Sequence, residues 1–256
     1  MRVDGVLLDI DGVLAVSWEP IPGSVEALAW LRQHDVPSVL ITNTTTQTRR
    51  GLASTLRGAG FDVRPEQIVT AVTATASYLA AQHPDATVFI LTDGDPGEDL
   101  ADVRRTERPE DADVVVIGGA CEDFSYPLVN RIFRRLMEGA SLVGMHRNLY
   151  WRTSAGWELD GGSYIAGLEE AAGVNAAICG KPAAPFFRAA LDLLGVPAER
   201  AAMVGDDIVN DILGAQAAGL TALLVRTGKF KEADLAKGTP DAVVGSFADV
   251  PGWLEG

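Results

Sequence analysis

Four short stretches place chemically capable side chains directly after apolar runs. In "VLLDIDGVL", Asp9 and Asp11 flank a single isoleucine at the end of Val6-Leu7-Leu8. "LITNTTT" ends a second run on Thr42 and Asn43, and "AICGKP" ends a third on Lys181. "AMVGDDIVND" follows a fourth with Asp206, Asp207 and Asp211. Two like charges at a strand end are unfavourable, because burying them unpaired costs on the order of several kcal/mol or shifts their pKa values. Solvent, a basic side chain or a metal ion has to compensate. Taken together, the four stretches supply a nucleophile, hydroxyl and amide donors, a cation and carboxylates able to hold a metal.

Each stretch alone has a plainer explanation. Asp-x-Asp-Gly suits a turn in which Gly12 supplies flexibility and both acids are solvated. Asp206 and Asp207 suit a helix N-terminus, where an acid gains about 0.3–1 kcal/mol. Gly-Lys-Pro reads as an exposed turn, and Thr-Asn as a cap or Asx-turn. What these explanations leave unaccounted for is the order. All four occur at the ends of apolar strands, and open parallel sheets bind ligands outside the carboxyl ends of their strands.

The elements that would position these residues alternate along the chain. Strands are predicted at Gly5–Leu8, Ser38–Thr42, Val88–Leu91, Val114–Ile117, Ser141–Val143, Ala201–Val204, Thr221–Val225 and Ala242–Val244. Helical patterns lie between them. Ser24–His34 opens on a serine cap, Thr46–Arg57 carries Leu52 and Leu56 with Gly58 as a stop, and Phe186–Leu194 has one apolar face. Alternating strand and helix means parallel βαβ units and an α/β fold. "NLYWRTSAGWELDGGS" breaks the rhythm and reads as a β-hairpin around Ser154-Ala155-Gly156, with a helix starting at Gly162-Ser163.

Composition narrows the class. Net charge is −14, from 35 acidic against 21 basic residues, which argues against nucleic acid or an anionic membrane as partner. Two cysteines, Cys121 and Cys179, make neither a disulfide framework nor a cysteine zinc site, and three histidines stand far apart. The apolar run at the N-terminus is too short for a signal peptide, and no stretch approaches transmembrane length. The expected setting is the cytoplasm.

The ordered set Asp9-Ile-Asp11-Gly12-Val-Leu, Thr42-Asn43, Lys181 and Gly205-Asp206-Asp207-x-x-x-Asp211 resembles the haloacid dehalogenase superfamily of phosphohydrolases. Only 30 residues separate Asp11 from Thr42, against 137 between Asn43 and Lys181, so an inserted cap belongs in the second gap. That arrangement is similar to subfamily IIA, the NagD and 4-nitrophenylphosphatase group. "FSYPLVNRIFRRLMEGASLVGMHRNLYWR" and "GKPAAPFFRAAL" resemble its phospholysine phosphohistidine pyrophosphate phosphatase branch. One departure is His146-Arg147-Asn148, where many subfamily IIA members carry Asn-x-Asp. Substrates of the phosphoglycolate and nucleotide branches therefore do not carry over.

The resemblance implies a Rossmann-like parallel-sheet core at 1–79 and 181–256, with a C2-type α/β cap at 80–180. It implies a Mg²⁺-dependent phosphatase acting on a small phosphorylated metabolite, with phosphomonoester, phosphoramidate and pyrophosphate all open. Asp9 would be the nucleophile that forms an aspartyl phosphate, and Asp11 the general acid and base. Mg²⁺ would be held by Asp9, the Asp11 backbone carbonyl and Asp206, with Asp207 and Asp211 as supporting acids. Gly12, Thr42, Asn43 and Lys181 would hold the phosphoryl group. In the cap, the His146–Tyr150 segment and Gly161-Gly162-Ser163-Tyr164 are candidates for substrate contact. Tyr150, Trp151 and Trp157 read as cap core or as the surface of a homodimer.

Other classes fit less well. A phosphoacceptor receiver domain puts its acid pair and its phosphorylated Asp on different strands and needs no such insertion. A P-type ATPase usually has Thr at the position of Asp11 and spans membranes, and a dehalogenase lacks the second aspartate. A phosphotransferase or a non-catalytic phospho-ligand-binding protein on the same scaffold remains the alternative.

Overall fold

The computed structural model describes residues 3–153 and 156–256. The chain divides into two compact units, one of Met1–Thr42, Arg49–Val69 and Lys181–Gly256, the other of Asn43–Thr48 and Thr70–Gly180. No helix among the described residues is long and apolar enough to cross a membrane.

The first unit is built on a six-stranded sheet in the order Ala242–Val244, Thr221–Val225, Ala201–Gly205, Gly5–Asp9, Ser38–Thr42, Ile68–Thr70. The central Gly5–Asp9 strand pairs in parallel with Ala201–Gly205 on one side and Ser38–Thr42 on the other. A parallel sheet carries helices on both faces, so its strands are continuous apolar runs instead of alternating ones. Val6, Leu7 and Leu8 are accordingly buried in succession. On one face Val6 and Leu8 join Leu28 and Leu31 of helix Ser24–Gln33, Leu52 and Leu56 of helix Arg49–Gly58, and Phe247. Helix Ala184–Leu194 packs against Gly5–Asp9 and Ser38–Thr42 through buried Phe186, Phe187 and Ala190.

Two helix starts differ from expectation. Ser24 does not cap its helix: Gly23 occupies that position at φ 82°, and the Ser24 hydroxyl donates to the Leu14 carbonyl at 2.8 Å instead. Buried Ser24 thus ties the helix to the loop after the first strand. The second helix begins at Arg49 and includes Gly58, and the chain reverses at Gly60, with φ 98°. Between the first strand and first helix, Ala15–Val16 and Glu19–Pro20 form a small antiparallel hairpin. Its two turn residues, Ser17 and Trp18, both have positive φ, as the right-handed twist of a tight hairpin requires.

The second unit holds a five-stranded parallel sheet in the order Ala177–Ile178, Ser141–Gly144, Val114–Ile117, Val88–Leu91, Arg105–Thr106. Its core gathers Phe89, Leu91, Val115, Ile117, Ile132, Leu136 and Ile165 from the sheet and from helices Tyr126–Met137 and Gly161–Ala172. Tyr150–Thr153 and Gly156–Leu159 pair antiparallel as expected, while the turn residues Ser154 and Ala155 lie outside the described residues. Tyr150 and Trp157 meet edge to face at 5.5 Å and are 61% and 70% exposed, so they are not core. The Trp151 side chain also lies outside the described residues.

Candidate active site

Strand register brings the first unit's chemistry to one edge. Leu8 lies opposite Val204 and Asp9 opposite Ile41. Asp9, the last residue of its strand, therefore sits between Gly205-Asp206 and Ile41-Thr42. Lys181 comes from the turn ahead of helix Ala184–Leu194, whose buried phenylalanines lock that turn against the sheet. All four stretches contribute buried polar side chains here: Asp9, Thr42, Lys181, Asp206 and Asp211.

Lys181 is the central cation. Its Nζ donates to Asp9 Oδ1 and to Asp211 Oδ1, each at 2.7 Å. Burial alone would lower its pKa, but the Asp211 and Asp9 carboxylates outweigh that and raise it. The second oxygen of Asp211 accepts the backbone N–H groups of Asp206 at 3.2 Å and Asp207 at 3.1 Å. Both Asp211 oxygens are thereby engaged, one by Lys181 and the other by the main chain. Burial and the Asp9 charge still push its carboxyl up to about 6, against the pull of Lys181.

Asp207 points elsewhere. Its carboxylate accepts Val209 N, Asn210 N and Asn210 Nδ2 at 2.8–3.0 Å, capping the π-helical turn Ile208–Leu213 that carries Asp211. Burial works against its ionisation, but those donors hold it below the usual carboxylate range.

Asp206 differs from both. Oδ2 accepts the Lys229 N–H at 2.6 Å, whereas buried Oδ1 has no hydrogen-bond partner. Burial, then the charges of Asp9 and Asp211, push its carboxyl up to about 8. One carboxylate oxygen from each of Asp9, Asp206 and Asp211 lies within 4.8 Å of the others. An orphaned oxygen facing crowded carboxylates, with one lysine in contact, fits a hard divalent cation that prefers oxygen ligands.

Asp11 is exposed beside this buried set. Gly12, at φ 87°, donates its N–H to the Ala15 carbonyl at 2.8 Å, so its contribution is space instead of a free donor. A Cβ there would fall 2.0 Å from Asp206 Oδ2. Asn43 follows Thr42 in the chain and belongs to the second unit, where its Oδ1 lies against Gly180. Also in that unit, buried His146 and Asp160 approach to 3.9 Å, and burial lowers the His146 pKa. Its Nδ1 accepts the Asn148 N–H at 3.3 Å, which suits a neutral ring.

Sequence reasoning missed one segment, Thr227-Gly228-Lys229. The Thr227 hydroxyl donates to the Gly12 carbonyl, and the Lys229 N–H holds Asp206. The signal was present, because "TGK" follows the apolar strand Thr221–Val225 just as the other four stretches follow theirs.

Comparison with known proteins gives the family of the chain. Residues 6–104 match the family described as haloacid dehalogenase-like hydrolase, and residues 178–250 match a second HAD-hydrolase-like family. The human phospholysine phosphohistidine inorganic pyrophosphate phosphatase is 40% identical over 238 residues, covering 91% of this chain and 86% of that protein. The rat haloacid dehalogenase-like hydrolase domain-containing protein 2 is 37% identical over 235 residues, covering 92% and 88%. Among solved structures, a p-nitrophenyl phosphatase from Archaeoglobus fulgidus superposes with a TM-score of 0.92 at 28% identity, covering 99% of this chain and 100% of that one. NagD from E. coli K-12 superposes with a TM-score of 0.88 at 27% identity, covering 97% and 98%. The chain belongs to the haloacid dehalogenase-like hydrolases. Its likenesses lie in the NagD-like branch, subfamily IIA, with the α/β core and inserted α/β unit of that group.

Proposed function

We propose that this phosphohydrolase cleaves a small phosphorylated metabolite through an aspartyl phosphate on Asp9, with Mg²⁺ held by Asp9, Asp206 and the Asp11 backbone carbonyl. The observation that carries the proposal is buried Asp9, oriented by Lys181, beside the unpartnered oxygen of Asp206. Relatives named as p-nitrophenyl phosphatase and as phospholysine phosphohistidine inorganic pyrophosphate phosphatase support the reaction class.

The Lys181 bond to Oδ1 fixes the Asp9 carboxylate, whose oxygen attacks phosphorus in line as the bond to the leaving oxygen breaks. Asp11 gives that oxygen its proton, and later takes one from the water that hydrolyses the aspartyl phosphate. Free phosphate leaves and Asp9 is regenerated. Thr42, Asn43 and Lys181 hold the phosphoryl oxygens, Lys181 as a fixed charge needing no reorganisation. Bound Mg²⁺ supplies neutralisation of charge on the transferring group and between the carboxylates. The unit inserted before Lys181 acts in this proposal as a cap that selects the leaving group, in a cytoplasmic enzyme. Exposed Tyr150 and Trp157 support pairing of two copies through it, which sedimentation would read.

The test is phosphate release from p-nitrophenyl phosphate, with and without EDTA, by wild type and Asp9→Asn. Activity is expected only for wild type with Mg²⁺, and quenched intact mass should show one added phosphoryl group. Full turnover in excess EDTA would overturn the metal, and turnover by Asp9→Asn would overturn the nucleophile. Transfer to an added alcohol in preference to water would make the protein a phosphotransferase.

A further inference from the structure

The Thr227-Gly228-Lys229 turn joins the two loops that carry Asp9, Asp11 and Asp206. From one side, the Thr227 hydroxyl reaches across 215 positions of sequence to the carbonyl of Gly12. From the other, the Lys229 N–H donates to Asp206 Oδ2 at 2.6 Å, the shortest of the three backbone bonds made to Asp206 and Asp211. Between them Gly228 sits at φ 64°, and a Cβ on it would fall 2.0 Å from Asp206 Oδ2 and 2.5 Å from Gly12 Cα. The Gly12 side is packed as closely, since its own Cβ would fall 2.9 Å from Gly228 Cα. Two glycine backbones and one carboxylate thus occupy a space that admits no further atom.

We infer that Thr227-Gly228-Lys229 is a positioning turn for the metal. It pins one oxygen of Asp206 so that the other, Oδ1, is presented without a partner, and it fixes the Asp11–Gly12 backbone at a set distance from that oxygen. The inference rests on the magnesium reading above and deepens it by naming what sets the ligand geometry. A carboxylate held at one oxygen by a main-chain donor cannot rotate to satisfy its second oxygen within the protein. It keeps an unmet demand for a cation. The side chain of exposed Lys229 has a separate effect, because its positive charge interacts with Asp206 first and then with Asp9. The backbone of Lys229 should favour metal binding and its charge should oppose it.

That opposition makes the inference testable at one position. Mg²⁺ affinity is measured directly by titration calorimetry, and Mn²⁺ affinity by the loss of free-ion electron spin resonance signal. Partners that orient a metal ligand are typically worth about 10–100-fold in affinity. Lys229→Pro, which removes the N–H, and Gly228→Ala, which crowds Asp206, should each weaken binding by about tenfold or more. Lys229→Ala keeps the N–H and loses the charge, and should bind as tightly as wild type or more tightly. Thr227→Val should weaken binding less than Gly228→Ala, with Thr227→Ser restoring it. Thermal melting in EDTA checks that each variant is folded, and Gly228→Ala and Thr227→Val stand in if Lys229→Pro is not. Unchanged affinity in folded Gly228→Ala and Thr227→Val would overturn the inference, as would weakened binding in Lys229→Ala equal to that in Lys229→Pro. If wild type binds neither ion, the magnesium reading itself fails, a result distinct from either.

Discussion

Asp9 and Asp11 differ in burial by design of their positions, one closing a buried strand and the other standing exposed on the loop beyond it. The difference matches a nucleophile that must be held and an acid that must exchange protons with water. Asp11→Asn should therefore depend on the leaving group. p-Nitrophenolate departs unprotonated, so phosphoryl transfer from the aryl ester survives while hydrolysis of the aspartyl phosphate slows. An alkyl phosphate should lose about 10²–10⁴-fold in the transfer step itself. Rapid-mix intact mass of Asp11→Asn with the aryl substrate should show accumulated adduct, and equal impairment on both esters without adduct would reduce Asp11 to a turn residue. A second expectation concerns Asp206, whose carboxyl is pushed up to about 8 by burial and its acidic neighbours. Folded protein then holds a proton that the unfolded chain releases near pH 4. Between about pH 4 and 8 the native state binds more protons than the unfolded state, so stability falls as pH rises through that window. Melting of EDTA-treated protein from pH 5 to 8 should show that decline, and added Mg²⁺ should cancel it with release of protons. A flat profile in EDTA would show that Asp206 is ionised throughout.

At the scale of elements, the π-helical turn Ile208–Leu213 is the piece that delivers Asp211 to Lys181. Its start depends on Asp207, so Asp207→Ala should lose about 1–2 kcal/mol of stability in urea denaturation, the range of a helix cap. Activity should fall with it as Asp211 loosens, while a loss below about 0.3 kcal/mol would show that the cap is dispensable. Elements of this kind were only partly legible beforehand. Strands such as Val114–Ile117 and Thr221–Val225 announced themselves as unbroken apolar runs because both of their faces are buried. Helix Ala71–Gln82 gave no such signal: its buried face is Ala71, Val72, Ala74, Thr75 and Leu79, but the other side carries Ala76, Ala80 and Ala81, so the two faces differ little in polarity. Edge strand Ile68–Thr70 is only three residues long. Tyr126–Met137 could have been read from Pro127 in its first turn and from Ile132 and Leu136 four apart. Within the site, residue types and order were visible in sequence. What was not visible was which oxygen of each aspartate is already engaged, since that depends on backbone donors, such as Lys229 N, far away along the chain.

Across the whole molecule the charge is −14, the same sign as the substrate proposed for it. Long-range electrostatics should therefore repel a dianionic phosphate, with attraction confined to Lys181, Lys229 and a bound cation. Raising ionic strength from about 10 mM to about 150 mM shortens the screening length from about 30 Å to about 8 Å. Within that range kcat/KM for a small dianionic ester at saturating Mg²⁺ should hold or rise, where an enzyme that steers its substrate would slow. A steep fall would point to a basic approach path elsewhere on the surface. The crowded aspartates have a further consequence for breeding this protein in the laboratory. Asp206 is a buried carboxyl whose ionisation its surroundings oppose and whose second oxygen has no partner, so Asp206→Asn relieves the metal-free fold while removing a residue the chemistry needs. A library sorted by heat resistance in chelator would enrich the mutants that have given up catalysis, and only sorting with magnesium present would keep the working enzyme in the pool.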